Sequence, residues 1–311
     1  MSVDQAKYRE WAARRRAIAA SRYRISPLGP NTRWRKAIFN RLLRIFTIFL
    51  RPTPLYRRGI DNALALRRVE LDVAVAGLPE PFDGYRILHI SDTHLEVLPP
   101  LVDAARNLLA DIEVDMLALT GDVYGHPPQS VERSADLLMQ TLTGVRVTGP
   151  RLAILGNHDP VEMVDLLQAR GFEVLVNASR TVERGGARLR VIGLDDVHYF
   201  YTDAAREALA APGEGGIALV HSVELADVAA QAGYGLYLAG HTHGGQICLP
   251  GGKPVLTQLK RYRHLAVGLW REGRMAGYTS SGLGVSDPPV RFNCRGEVTI
   301  LTLRRAEAAA G

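Results

Sequence analysis

From about residue 84 onward, short apolar runs alternate with longer stretches in which apolar residues return every three or four positions. The runs at 86–90, 116–120 and 151–155 are too short for helices and nearly all apolar, so they predict strands buried on both faces. Between them, residues 101–109, 130–142 and 161–170 carry the helical period. Further strand candidates lie at 189–192, 217–220, 236–239, 275–279 and 298–303. Residues 69–75 alternate apolar and polar, the mark of a half-exposed strand, after a linker marked by Pro52 and Pro54. The strand, loop, helix rhythm predicts an α/β body, and no internal repeat interrupts it.

The first sixty residues follow a different pattern. Residues 31–51 predict a helix that starts after Pro30, with Asn31 or Thr32 as cap, and stops before Pro52. Arg33, Lys36, Asn40, Arg44, Thr47 and Arg51 form a narrow polar stripe, and nearly all the rest is apolar. The stretch is shorter than the roughly 20 apolar residues of a membrane span and is broken by Arg41 and Arg44. An interfacial helix fits, with its apolar face in the acyl boundary and its cations among anionic headgroups. The alternative is that this face packs on the body.

Charge supports an anionic partner for this segment. Residues 1–58 hold 15 Lys and Arg against Asp4 and Glu10, a formal +13, which leaves 23 basic and 30 acidic residues, or −7, on the remainder. Tyr8, Trp11, Tyr23 and Trp34 interleave with arginines as in some nucleic-acid binders, but no defined nucleic-acid motif is present. Arg14-Arg15-Arg16 is followed by only a short Ala-rich run, a poor export signal. The resulting expectation is a basic amphipathic arm over 1–60, a catalytic body over 61–304 and a tail over 305–311. The arm would bind an anionic membrane surface through residues 31–51, at the cytoplasmic face of a bacterial inner membrane. At 311 residues and 47% hydrophobic, the chain can build a core without staples. Cys248 and Cys294 sit in no Cys-x-x-Cys pattern and are expected as free, partly buried thiols, with a single bridge between them left open.

The chemistry gathers at the ends of the apolar runs: Ser91-Asp92-Thr93-His94, Gly121-Asp122, Gly156-Asn157-His158-Asp159, His221 and Gly240-His241-Thr242-His243. Each cluster offers a carboxylate, imidazole or amide oxygen, and the carboxyl ends of parallel strands converge on one edge, so distant residues can meet there. In this order the clusters resemble the calcineurin-like metallophosphoesterase superfamily. The extensions Gly244-Gly245-Gln246 and Gly282-Leu283-Gly284, followed by Arg291-Phe292-Asn293-Cys294, look like its bacterial membrane-associated branch. That branch includes phosphodiesterases and hydrolases of a lipid-A precursor, UDP-2,3-diacylglucosamine.

The resemblance, which spans about residues 84–303, implies a four-layer α/β/β/α sandwich of two mixed sheets. It implies one metal held by Asp92, His94 and His243, a second held by Asn157, His221 and His241, and Asp122 bridging them. It also implies His158 as the donor to phosphate and leaving group, with Asp159 orienting it. Carboxylate-bridged cations about 3.5–4 Å apart can share a hydroxide and clamp one phosphate. Imidazole ligands favour transition metals over Mg²⁺ or Ca²⁺, and the ligand types do not choose among Mn²⁺, Fe, Zn²⁺ and Ni²⁺; Mn²⁺ is the ion expected first. The expected activity is hydrolysis of a phosphodiester or pyrophosphate bond, in a lipid-linked substrate. The rival readings are a phosphodiesterase or nuclease for soluble nucleotides or nucleic acid, and a non-catalytic scaffold. His126 and Asp195-Asp196 fall near the site by topology and read as structural, while Gly282–Gly284 and Arg291 could either meet substrate or shape a loop. No proposed ligand lies in the arm, so hydrolysis of a soluble diester is expected to survive its loss.

Overall fold

Two six-stranded mixed sheets lie face to face in the computed structural model, which describes residues 5–21, 23–27, 29–125, 130–259 and 261–306. His126 lies outside the described residues. The N-terminal part holds α1 (Gln5–Ala20), a hairpin of β1 (Tyr23–Ser26) and β2 (Gly29–Thr32), α2 (Arg33–Leu50) and α3 (Pro54–Leu64). The body follows with β3 (Arg67–Val75), β4 (Arg86–Ile90), α4 (Leu101–Leu109), β5 (Glu113–Val114), β6 (Met116–Leu119) and α5 (Val131–Thr141). Next come β7 (Arg146–Val147), β8 (Arg151–Ala153), α6 (Met163–Gln168), β9 (Glu173–Val174), β10 (Ala178–Arg184) and β11 (Ala187–Gly193). The chain continues through α7 (Asp203–Ala210), β12 (Ile217–Leu219), α8 (Ala226–Gln231), β13 (Leu236–Ala239), β14 (Gly268–Glu272), β15 (Met275–Thr279) and β16 (Glu297–Arg305).

The first sheet runs β3-β16-β4-β6-β8-β9, with β16 antiparallel to β4 and the other neighbours parallel. The second runs β10-β11-β12-β13-β15-β14, parallel from β11 to β15 and antiparallel at both edges. Side-chain alternation sorts each strand between two cores. In β4, Ile87 enters the core between the sheets with Met116, Leu152, Leu219 and Leu238, while Leu88 and Ile90 pack under α4, α5 and α6. On the far side, Ile192, Ala218 and Tyr237 pack beneath α7 and α8. These are the four layers expected, and burial on both faces is why the strands read as unbroken apolar runs.

Local chemistry sets the element ends. Ser130 and Thr202 cap α5 and α7 by accepting the N–H of Arg133 and Ala205. Gly185 and Gly186, both at positive φ, turn the β10–β11 hairpin. β10 is a mostly exposed edge strand bearing Arg180, Glu183 and Arg184, so it lacks the apolar signature and escapes a hydrophobicity reading.

The arm does not behave as one unit over residues 1–60. Helix α1 docks on the body: Ala12 and Ile18 are buried, Trp11 Nε1 donates to Asp195 Oδ2 at 2.7 Å, and the Arg15 guanidinium is 2% exposed. Ala63 of α3 joins the core under the first sheet, and Gly59 lies so close to Val290 that an added methyl would collide with it. Helix α2 differs. Ile38, Leu42, Ile45, Phe46, Ile48 and Phe49 are 46–74% exposed, whereas Leu50 is buried. Among the described residues no helix is long and apolar enough to cross a membrane.

Candidate metal centre

Every candidate ligand follows a parallel strand at its carboxyl end: Asp92 and His94 after β4, Asp122 after β6, Asn157 after β8, His221 after β12, and His241 and His243 after β13. The turns that aim them are tight. Asp92, His94, Asp122, His241 and His243 all take positive φ, between 33° and 71°. Two of the neighbouring glycines are forced by contact, because a methyl group at Gly156 would strike the Asp122 carboxylate and one at Gly240 would strike Ser91 and Asp92.

Two buried groups of three donors result, Asp92 with His94 and His243, and Asp122 with His221 and His241; within each, the donor atoms all lie within 4.8 Å of one another. Asp122 joins them. Its Oδ2 is 3.3 Å from His221 Nε2 in its own group and 3.6 Å from His94 Nε2 in the other. His243 Nε2 is 3.6 Å from Asp92 Oδ1. His94 and His221 each direct Nδ1 at a main-chain carbonyl, of Tyr124 at 3.1 Å and Thr120 at 2.7 Å. With Nδ1–H donated there, the Nε2 lone pair faces inward. Besides His221 Nε2, which faces Asp122, four buried atoms then have no hydrogen-bond partner: Nε2 of His94 and His241, Nδ1 of His243, and Oδ1 of Asn157. Buried lone pairs left unpaired are costly, and divalent cations are what this mixture of imidazole, carboxylate and amide satisfies. The residues fit two ions: the first group is the trio expected for one metal, and the second joins Asp122 to two of the three donors expected for the other.

Before any ion binds, the electrostatics are divided. Burial favours the neutral forms and pushes His94 down to about 3 and His241 and His243 well below the ordinary imidazole value. Burial acts on His221 in the same direction, but the charge and hydrogen bond of Asp122 outweigh it and raise it to about 10. Asp122 is held well below the carboxylate range, since His221 and His158 overcome the effect of burial. Asp92 rises to about 7 through burial, partly offset by His221.

His158 and Asp159 are placed differently from each other. The His158 ring is half-buried, 5.3 Å from the His94 ring, and its Nδ1 lies 2.7 Å from the Gly125 carbonyl oxygen. The expected contact in which Asp159 orients that ring is replaced. The Asp159 carboxylate accepts the N–H groups of Asp122, Val123, Tyr124 and Gly156 at 2.8–2.9 Å, so it shapes the loop around Asp122 while a carbonyl aligns His158.

Arg291 is fully buried and donates to the carbonyl oxygens of His243, Ser281, Gly282 and Gly284. Its role is to hold loops rather than to meet substrate. Leu283 and Gly284 donate N–H to the Ser91 and Asp92 carbonyls, which backs the first ligand loop from behind. Cys248 and Cys294 are free thiols beside these loops, Cys294 Sγ being 3.5 Å from the His243 carbonyl oxygen.

The residue that sequence reasoning missed is Arg15. It ion-pairs with Asp195 and donates to the carbonyl oxygens of Gly156 at 2.7 Å and Asp159 at 2.8 Å, on either side of Asn157 and His158. In the sequence it lay within an arginine run that suggested polyanion binding. Only the apolar spacing of Trp11, Ala12 and Ile18 around it could have signalled docking. His198 is a second unforeseen neighbour, its ring tilted 45° against that of His241 with 4.1 Å between centroids and its Nδ1 on Glu224.

Fold and donor set together define a metal-dependent phosphoesterase. The chain belongs to the calcineurin-like phosphoesterase family, whose pattern it matches over residues 85–245. It is 30% identical over 238 residues to the uncharacterized metallophosphoesterase YkuE of Bacillus subtilis, covering 73% of this chain and 82% of that one. It is also 30% identical over 234 residues to the phosphodiesterase YaeI of Escherichia coli, covering 70% and 82%. Among solved structures it resembles the NAD nucleotidase of Haemophilus influenzae, with a TM-score of 0.42, 14% identity and coverage of 64% of this chain and 50% of that one.

Proposed function

We propose that this protein is a two-metal phosphodiesterase that cleaves a phosphodiester or pyrophosphate bond in a lipid-linked substrate while lying on an anionic membrane surface, at the cytoplasmic face of a bacterial inner membrane. The observation that carries the reading is the Asp122 carboxylate, set between His94 and His221 and surrounded by buried donor atoms without partners. Asp92, His94 and His243 would hold one ion, and Asn157, His221 and His241 the other, with Asp122 shared. Divalent ions held there would supply a nucleophile from water at neutral pH and would neutralise charge on the phosphate. His158 supplies the proton. The Gly125 carbonyl stabilises Nδ1–H in both protonation states, so the proton on Nε2 is the one given to the departing oxygen.

The membrane clause rests on α2. Ile38, Leu42, Ile45, Phe46 and Phe49 recur at helical spacing and form one outward apolar stripe, while the less exposed Leu43, Thr47 and Leu50 lie on another side of the helix. Arg41, Arg44 and Arg51 run along the flank. A wide apolar face edged by arginine matches an anionic interface, with about 1 kcal/mol for each cation near the headgroups.

The test is to load the purified protein separately with Mn²⁺, Fe²⁺, Zn²⁺ and Ni²⁺ and assay bis(4-nitrophenyl) phosphate, 4-nitrophenyl phosphate, and lipid-linked diesters in anionic vesicles. Diester hydrolysis above monoester hydrolysis, enhanced for the vesicle substrate, is expected. Equal rates on vesicle-bound and soluble diesters would remove the lipid clause, and failure with every metal would remove the activity.

A further inference from the structure

Beside the metal centre lies a cavity of about 250 Å³ that the reaction as described does not use. One wall is α1, through Arg15, Ile18 and Ala19; the other is the loop from Asn157 to Glu162 together with Phe200. His158 lines it too. We propose that this cavity is the subsite for the leaving group, and that it takes an alcohol with a hydrocarbon skeleton. The inference rests on the phosphodiesterase reading and on His158 as its acid.

The position follows from the proton. A general acid must stand beside the departing oxygen, so the carbon skeleton attached to that oxygen extends on the His158 side of the phosphorus. The cavity that His158 lines is where it enters. The chemical class follows from the walls. Ile18, Val161 and Phe200 are buried apolar side chains, and hydrocarbon placed among them is removed from water. Arg16 and Glu162 are exposed and paired with each other at 2.9 Å, so the rim offers little to a second phosphate. Arg15 lines the wall but already serves Asp195, Gly156 and Asp159, so its guanidinium is engaged within the protein.

The wall is also firmly set. Arg15 lies 3.9 Å over the Phe200 ring, and Trp11 holds Asp195, so α1 and the loop after β11 are joined by contacts spanning about 180 positions of sequence. Such a wall can discriminate among leaving groups without first having to be ordered by them.

The test uses the full-length, metal-loaded protein and three diesters: methyl phenyl phosphate, methyl 4-butylphenyl phosphate and butyl phenyl phosphate. The two phenols depart with similar ease, so the first pair reads added hydrocarbon on the leaving side and the last reads it on the other side. Butyl on the phenol should raise kcat/KM about tenfold, as partial burial of four carbons implies, and butyl on the other ester should do much less. Ala19→Trp, which fills the cavity from an exposed position, should erase the leaving-side gain, and Ile18→Phe should reduce it. As a measurement independent of turnover, metal-free protein should bind 4-butylphenol in calorimetry, at least about tenfold more weakly in Ala19→Trp, again on the scale of the buried hydrocarbon. Equal gains on both sides, or a leaving-side gain that survives both substitutions, would overturn the subsite alone. No hydrolysis of any diester would overturn the phosphodiesterase reading and the subsite with it.

Discussion

The Asp159 carboxylate accepts the backbone N–H of Asp122 at 2.8 Å, so the residue after His158 holds in place the residue that joins the two donor groups. Three further amides share that carboxylate. Asp159→Ala would leave four buried N–H groups unpaired and should destabilise the protein by roughly 3 kcal/mol or more. Chemical denaturation measures that cost, and metal content should fall because the Asp122 loop loses its template. Unchanged stability would show that water replaces the carboxylate without penalty.

Removing Asp122 itself tests whether the two groups share it. Asp122→Ala should lower metal content at both positions and abolish diester hydrolysis, because two dications across a short gap then repel without the bridging charge. Elemental analysis of the purified variant reads this directly. A variant that retains two ions and normal turnover would refute the shared carboxylate.

Metal affinity should rise with pH. In the ion-free protein His221 titrates at about 10, so at neutral pH it is protonated and must release that proton to become a ligand. His94, lowered to about 3, has nothing to release. A raised imidazole pKa means that the proton competes with the ion at every pH below it. Affinity at the His221 position should therefore increase by up to about tenfold per unit between roughly pH 7 and 9, with about one proton released. Calorimetry in buffers of different ionisation enthalpy counts that proton, and a pH-independent affinity would contradict the picture.

His158→Ala separates binding from proton transfer. Metal content should stay, while kcat on an alkyl leaving group falls on the order of 10²–10⁴-fold. A nitrophenolate needs little protonation to depart, so the defect on that substrate should be much smaller. Equal losses on both would exclude His158 as the acid.

The two helices of the arm should respond differently. Leu42→Asp with Phe46→Asp and Phe49→Asp changes only exposed positions, so it should abolish flotation with anionic vesicles and leave hydrolysis of a soluble diester intact. Deleting residues 1–58 removes α1 as well. That truncation should lose turnover of the soluble diester, because the carbonyls flanking Asn157 and His158 lose Arg15, and Asp195 loses both Arg15 and Trp11. Full soluble activity in the truncated protein would return α1 to a passive role.

The sequence made the inner strands and the donor set legible because each obeys a local rule. β4, β6, β12 and β13 are buried on both faces, which forces apolar composition, and each ends in a ligand that cannot be exchanged without changing the chemistry. What stayed hidden is settled by pairing across long separations. Nothing near Arg15 announces Asp195 or the Gly156 carbonyl, and a buried arginine has the same letter as a solvated one. Asp159 illustrates the same limit: adjacency to His158 suggested a partner, whereas the fold turned its carboxylate to backbone amides that only the tertiary structure brings near. β10 was missed for the opposite reason, since an exposed edge strand answers to solvent and carries no apolar signal.

The positive φ angles of Asp92, His94, Asp122, His241 and His243 bear on how selection shaped this molecule. Left-handed backbone costs a non-glycine residue on the order of 1 kcal/mol, and glycine would occupy these five positions with greater ease. Glycine has no side chain to offer an ion. The ligand loops thus carry a standing conflict between durability and activity, in which the less comfortable residue is retained for what it can bind. Drift toward glycine at any of these positions would relax the backbone while disarming the protein, so loss of metal and gain of backbone ease would arrive together.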